Sequence, residues 1–358
     1  MPKPRLTILD EFPPALLTAS AAELTNILSG PTLIHLPGLR AEPLFVSVLL
    51  HGNEDVGLLA IQQVMREHSE RELPRAFSIF IGNVDAARIG VRRLDHQPDY
   101  NRIWPGSDSN GTAEHAMMRE VVAQMQLRNA FASIDIHSNT GRNPHYACVN
   151  RLDVFHLQLA SLFGRTVVYF QRPHGVQSKA FSDFCPAVTL ECGKVGDATG
   201  VAHAAEFVRS CLHLSAIPDY PVEKGDIHVF RTVATAKVKP RVSLEFAEKP
   251  ADVRLSLAEQ FGKALARSGW DVLLRGDLED LNFQELPVGS FVGYTRFNDL
   301  MPLEVFDQEG RDATADYLEI RENMILLRKE VMPSMLTQLA SVIRQDCLGY
   351  FMERCVYE

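Results

Sequence analysis

The six cysteines of this sequence (Cys148, Cys185, Cys192, Cys211, Cys347 and Cys355) are scattered, and no Cys-x-x-Cys pair occurs. In a chain of 358 residues that pattern reads as reduced thiols in a cytoplasmic protein, and it excludes a disulfide framework. No run approaches the ~18 apolar residues that a membrane-spanning helix needs. The start, Met-Pro-Lys-Pro-Arg-Leu, lacks the charged-then-apolar pattern of a signal peptide. There is no basic block: 36 Lys and Arg face 45 Asp and Glu, a net charge of -9. That argues against nucleic acid as a partner. Gly-x-Ser-x-Gly, the phosphate loop, Gly-x-Gly-x-x-Gly and His-Glu-x-x-His are all missing. Serine esterase, nucleotide hydrolase and Rossmann dehydrogenase therefore lose their best support. Internal repeats and low-complexity tracts are absent too. What remains is ordinary globular material, 46% apolar and 23% charged, which excludes bulk disorder.

Along the front of the chain, short apolar runs alternate with helical patterns. Strands are expected at Leu44–Leu50, Phe77–Ile81, Phe131–Ile136, His145–Val149, Thr166–Phe170 and Ala187–Leu190. Helices are expected at Val56–Glu67, Ala113–Leu127, Leu152–Phe163 and Val201–Leu212, and a loop over Asn83–Gly111. This alternation predicts an α/β domain over residues 1–220, with a mostly parallel mixed sheet flanked by helices. Turn chemistry in Ile217–Gly225 marks a boundary. Residues 221–358 read as a smaller, β-rich domain, with strands at Ile227–Val233, Arg241–Phe246, Val288–Tyr294, Leu303–Phe306 and Met324–Leu327. Helices are expected near Leu255–Arg267 and Met335–Ile343. From Asp226 onward 16 basic residues face 22 acidic ones, so most of the negative surplus lies there.

Candidate chemistry sits at strand ends of the front domain. His51-Gly-Asn-Glu54 follows the run Leu44–Leu50, His137 follows Ser133–Ile136, and Glu191 follows Ala187–Leu190. Open α/β sheets bind ligands just beyond the carboxyl ends of their strands. Imidazole nitrogen and carboxylate oxygen are both good zinc donors. The spacing alone is weak, since His203-x-x-Glu206 and His96-x-x-Asp99 show it as well. Three such residues ending three separate strands favour a site. Asp135, two residues before His137, shares its strand face and is placed to orient a ligating imidazole.

Taken in order, His51-Gly-Asn-Glu54, Asn83 with Arg92, Asp99-Tyr-Asn-Arg102, Asp135-Ile-His137 and Glu191 in Leu-Glu-x-Gly resemble the succinylglutamate desuccinylase/aspartoacylase family. That family is a branch of the carboxypeptidase A-type zinc hydrolases, and the anchored motifs span roughly residues 44 to 200. The resemblance implies a zinc carboxypeptidase-like fold with one Zn2+ per chain held by His51, Glu54 and His137. It implies Glu191 as general base, Arg92 as the group polarising the scissile carbonyl, and Asn101 with Arg102 as the pair binding a substrate carboxylate. Arg93, adjacent to Arg92, competes for that polarising role. The implied reaction is hydrolysis of the amide bond of an N-acyl amino acid or a related small amide. The family's best-known members cleave acidic acyl groups with Tyr or Arg shortly before the base. Here Gln177 and Phe181 stand at those positions, which argues for a neutral or apolar acyl part. The loop Ser138–Pro144 reads either as a pocket wall or as a tight turn. Two other functions fit the same scaffold: a zinc carboxypeptidase acting on peptides, and a non-catalytic ligand-binding protein. A base-like Glu191 beside three candidate ligands argues against the last, because binding needs no base.

Overall fold

The structure, a computed structural model, describes residues 5–247, 262 and 269–357. The chain divides into two compact units. One comprises Met1–Ser138, Pro144–Val229 and Cys355–Glu358, the other Asn139–Asn143 and Phe230–Arg354. The first unit runs past the turn-rich segment 217–225 because Ile227 and Val229 are buried in its core. Its compact limit therefore falls at 229/230, where the turn chemistry placed a boundary at 220/221.

In the first unit eight strands, β1 (Thr7–Leu9), β2 (Thr32–Leu36), β3 (Leu44–Val48), β4 (Phe77–Ile81), β5 (Ala132–Asn139), β6 (His145–Val149), β7 (Thr166–Tyr169) and β8 (Ala187–Lys194), lie in the order β1-β2-β4-β3-β5-β8-β6-β7. β3 is parallel to both β4 and β5, and β1 to β2 and β6 to β7 are also parallel. β2–β4 and β6–β8 are antiparallel, so the sheet is mixed. The helices are α1 (Val56–Glu67), α2 (Val84–Ala87), α3 (Ala113–Leu127), α4 (Val154–Ser161), α5 (Gln177–Phe181) and α6 (Ala198–His213).

Side chains alternate across a strand, so a buried sheet feeds two cores. Leu44, Val46, Val48, Phe77, Ile79, Ile81, Ala132, Ile134 and Ile136 share one core with the apolar faces of α1, α4 and α6. Phe45, Phe80 and Ala187 point the other way, into a second core with Met117, Met118, Val121 and Met125 of α3. Burial on both faces explains why these strands read as unbroken apolar runs.

Two strands run further than their apolar stretches. β5 continues through His137 to Asn139, and β8 continues through Glu191 to Lys194. His137 and Glu191 are thus inside their strands and do not follow them. Ladder pairing carries the backbone on while the side chains turn polar: Tyr146 of β6 is opposite Glu191, and His145 opposite Cys192. The stretch Asn83–Gly111 is not wholly loop. It opens with α2, capped by the Asn83 side chain accepting from the Ala86 amide at 3.2 Å.

The second unit contains the strand His228–Val238 from Phe230 onward, antiparallel to Leu303–Asp307 and to Gly349–Arg354, with Met332–Ser334 beyond the latter. A separate five-stranded sheet runs Leu244–Phe246, Val272–Leu274, Phe291–Thr295, Met324–Leu327, Leu318–Arg321. The helix expected over Met335–Ile343 forms only at Ala340–Gln345. Its first residues follow the strand Met332–Ser334, and Met335 is left-handed at φ 61°. The helix expected near Leu255–Arg267 lies outside the described residues. The segment Asn139–Asn143 packs within this unit: Asn282 donates to the Arg142 carbonyl, and the Met335 amide to Asn143 Oδ1. No helix among the described residues is long and apolar enough to cross a membrane.

His35 on β2 offers a measurable consequence of burial. It is 8% exposed, its Nδ1 is 2.8 Å from Ser78 Oγ, and its Nε2 has no partner among the described residues. Protonation would add a charge and an unpaired N–H, so burial, helped by Arg128, pushes its pKa down to about 4. The native state prefers neutral His35. Its stabilising contribution is complete above the unfolded value near 6.5 and is lost as pH falls from there through about 4. Urea titrations of wild type and His35→Gln should show the variant losing less stability over that window, by on the order of 2 kcal/mol. Identical pH slopes would remove His35 as a source of acid sensitivity.

Candidate functional site

The site is built where β3 turns into α1. After Val48 the chain turns through Leu49, at φ 54°, to His51. The Gly52 amide donates to the Arg92 carbonyl at 3.1 Å, and the Glu54 amide to the His51 carbonyl at 3.1 Å. A Cβ on Gly52 would run into the backbone of Ala86 and Ala87. Only glycine lets the turn lie against α2, and this turn brings Glu54 back under His51.

His51, Glu54 and His137 are all buried, and one donor atom from each lies within 4.8 Å of the other two. Glu54 spans the two imidazoles: Oε1 is 2.8 Å from His51 Nδ1 and Oε2 is 2.8 Å from His137 Nδ1. The Ser138 amide donates to Oε2 at 3.2 Å. The far side of each ring faces a second carboxylate. His51 Nε2 is 3.1 Å from Asp99 Oδ1, and His137 Nε2 is 2.8 Å from Asp135 Oδ2. A carboxylate at the outer nitrogen holds a histidine in the tautomer whose inner nitrogen is free to ligate. Asp135 sits as strand alternation predicted, anchored by the Ser47 hydroxyl at 2.7 Å.

Three carboxylates thus converge on two imidazoles and one guanidinium. Burial opposes ionisation of Glu54, but the two imidazoles outweigh it and hold the carboxyl below its usual range. Asp99 is likewise held low against its burial by Arg92 and His51. Burial disfavours a charged His137, yet Asp135 and Glu54 raise its pKa well above that of a free imidazole. The cluster calls for positive charge at its centre. Two imidazole nitrogens and one carboxylate, braced from outside, form a donor set that a transition-metal ion fits.

Glu191 lies on the same sheet face as Asp135 and His137. Its strand neighbours Val188, Leu190 and Cys192 point into the opposite core. It is 7% exposed, and its Oε2 has no hydrogen-bond partner among the described residues. Burial drives its pKa up to about 8 despite the pull of His137. Arg92 places Nε and Nη2 on Asp99 Oδ2, at 3.2 and 2.9 Å, and Nη1 3.8 Å from Glu54 Oε1. Arg93 turns away and donates to the Gln97 carbonyl. Asn101 donates Nδ2 to Asp135 Oδ2 at 3.3 Å, and the same nitrogen lies 3.1 Å from His137 Nε2. Arg102 donates Nη1 to the Asn101 carbonyl at 2.9 Å.

Two expectations change. Phe181 is fully buried, stacked on Phe45 at 4.5 Å and edge-on to Trp104, so it belongs to the second core and lines no acyl pocket. Asp99, part of the Asp99-Tyr-Asn-Arg102 motif but given no role of its own there, bonds to His51 and is part of the site. The signal was its place two residues before Asn101 in Asp-Tyr-Asn-Arg. His203 and Glu206 stay apart from the site: His203 pairs with His145, and Glu206 with Arg209.

If this donor set holds a metal, His51→Ala and His137→Ala should each lower the metal content of protein purified without chelator from about one ion per chain to background. Asp99→Asn should weaken the metal by roughly 10-fold or more without abolishing binding. Wild-type metal content in both alanine variants would dismiss the site.

A family model described as the succinylglutamate desuccinylase/aspartoacylase catalytic domain matches residues 42–215. Among solved structures the chain is similar to the succinylglutamate desuccinylase from Chromobacterium violaceum, with a TM-score of 0.54 and 16% identity over 89% of this chain and 87% of that one. It is similar to a succinylglutamate desuccinylase/aspartoacylase from Rhodobacter sphaeroides, with a TM-score of 0.55 and 15% identity over 90% and 88%. Murine aminoacylase 3 gives a TM-score of 0.52 and 15% identity over 88% and 96%. At such identities the likeness is one of fold. No curated protein matches the sequence.

Proposed function

We propose that this chain, which belongs to the succinylglutamate desuccinylase/aspartoacylase family through residues 42–215, is a zinc-dependent hydrolase cleaving the amide bond of an N-acyl amino acid or a related small amide. The observation that carries this reading is the buried His51–Glu54–His137 group sharing a sheet face with a buried, unpartnered Glu191 oxygen.

His51 Nδ1, His137 Nδ1 and a Glu54 oxygen are the proposed zinc ligands. Zinc, when bound there, supplies Lewis acidity that lowers the pKa of water and stabilises a developing oxyanion. Everything else falls to the chain. Glu191 takes up at Oε2 a proton of the water whose oxygen adds to the scissile carbonyl carbon, and delivers it to the leaving nitrogen as the C–N bond breaks. Its burial supports this role, because a carboxyl whose proton is held near neutral pH can both accept and donate it. Arg92, beside Glu54, is proposed to place a guanidinium N–H on the scissile carbonyl oxygen. Arg102 is proposed to bind the carboxylate of the amino-acid part, with Asn101 next to it, since a guanidinium fork suits two carboxylate oxygens. The products are a free amino acid and a carboxylic acid. We place the enzyme in the cytoplasm on its scattered cysteines, which include no Cys-x-x-Cys pair.

A mass-spectrometric screen of N-acyl amino acids against dipeptides tests the substrate class. Release of free amino acid from N-acyl amino acids is expected, and turnover of dipeptides alone would replace this reading with a carboxypeptidase. Glu191→Gln should keep its zinc and lose kcat by about 10²–10⁴-fold. Undiminished kcat in that variant would remove Glu191 as the base.

A further inference from the structure

We propose that Asn101 is a positioning residue for the His137–Asp135 pair, a role different from the carboxylate binding that the family resemblance implies for it. The inference rests on the functional reading in one respect only, that His137 holds the metal.

The argument starts from which way the amide points. Asn101 sits in the turn that begins at Asp99, where the Asn101 amide donates to Asp99 Oδ1 at 2.8 Å and the Arg102 amide to the Asp99 carbonyl at 2.9 Å. Its side chain is buried, the residue being 7% exposed. The backbone N–H of Gln177, at the start of α5, lies 2.9 Å from Asn101 Oδ1. A backbone N–H can only donate, so this contact fixes the carbonyl end of the amide towards α5. The NH2 end must then face the sheet, where it lies 3.3 Å from Asp135 Oδ2 and 3.1 Å from His137 Nε2. Gln177 is itself immobilised, fully buried with its Nε2 2.6 Å from Ser133 Oγ.

The Asp135 carboxylate is consequently gripped at both oxygens. Oδ1 accepts from Ser47, while Oδ2 is shared between His137 and Asn101. Rotation of the carboxylate would break the contact that keeps the proton on His137 Nε2. With one proton held there, Nδ1, which faces Glu54, is the nitrogen left to give up its proton and bind a metal. A donor committed inwards to one carboxylate is not aimed outwards at a second one from substrate. Arg102, which donates to the main-chain carbonyl of Asn101, is left as the carboxylate-binding member of the pair.

The test separates metal binding from substrate binding. Zinc affinity is measured on metal-stripped full-length protein by competition with a chromophoric chelator. Steady-state kinetics use an N-acyl amino acid that the wild type hydrolyses. Asn101→Ala should bind Zn2+ about 10–100-fold more weakly, and at saturating zinc its KM should stay within about two-fold of wild type. Arg102→Ala should show the opposite split, a raised KM with unchanged zinc affinity. Wild-type zinc affinity in Asn101→Ala overturns the proposal. Should the alanine variant fail to fold, Asn101→Leu, close in size and without a donor, replaces it. Failure of both to fold would make Asn101 a folding residue and overturn the proposal as well. A wild type that binds zinc but hydrolyses no N-acyl amino acid defeats the substrate reading alone, and the affinity measurement still decides Asn101. A wild type that binds no zinc defeats both.

Discussion

One carboxylate bridging two imidazoles organises the larger unit. Glu54 is buried, and a buried carboxylate is tolerated only with partners at both oxygens. His51 and His137 supply them at 2.8 Å each. His51 is held by the turn after β3 and His137 by β5, so Glu54 ties two adjacent parallel strands together beyond their last shared ladder pair, Ser47 with Asp135. That same pair bonds side chain to side chain at 2.7 Å. Backbone register and site geometry are therefore one constraint: a slip of one residue in β5 would turn Asp135 and His137 into the opposite, apolar core.

The two-faced burial of the sheet makes such a polar face affordable. Along β5, Ala132, Ile134 and Ile136 enter one core while Ser133, Asp135 and His137 face the other way. Along β8, Val188, Leu190 and Cys192 do the same opposite Thr189 and Glu191. The aromatic cluster of Phe45, Phe80, Trp104 and Phe181 occupies the second core. Polar groups at the far end of that face lie beside a buried apolar interior. Low polarisability there is what lifts Glu191 to about 8.

Much of this was legible in the sequence because strand alternation is local. Asp-Ile-His shows by spacing alone that Asp135 and His137 share a face, and the helix Val56–Glu67 was visible in its apolar periodicity. The ends of β5 and β8 were hidden, because the ladder continues on backbone hydrogen bonds after the apolar residues stop. Asp99 was hidden because its partner, His51, is distant in sequence and a loop brings them together. Phe181 was misplaced because its stacking on Phe45 is a tertiary contact that no local pattern encodes. The expected helix at Met335–Ile343 failed at its start, where a strand and a left-handed Met335 take residues that periodicity alone assigned to a helix.

Asp99 also shapes what Arg92 can do. Its Oδ2 takes two donors of the guanidinium, and its Oδ1 takes the Asn101 amide and His51 Nε2. One side chain therefore sets the orientation of a ring in the ligand group and of the nearest guanidinium. Because the Nε and Nη2 edge is engaged, Arg92 approaches the Glu54 end of the site by its Nη1 corner, at 3.8 Å from Oε1. On the proposed reading, a carbonyl polarised there meets the arginine through one corner and not through its fork.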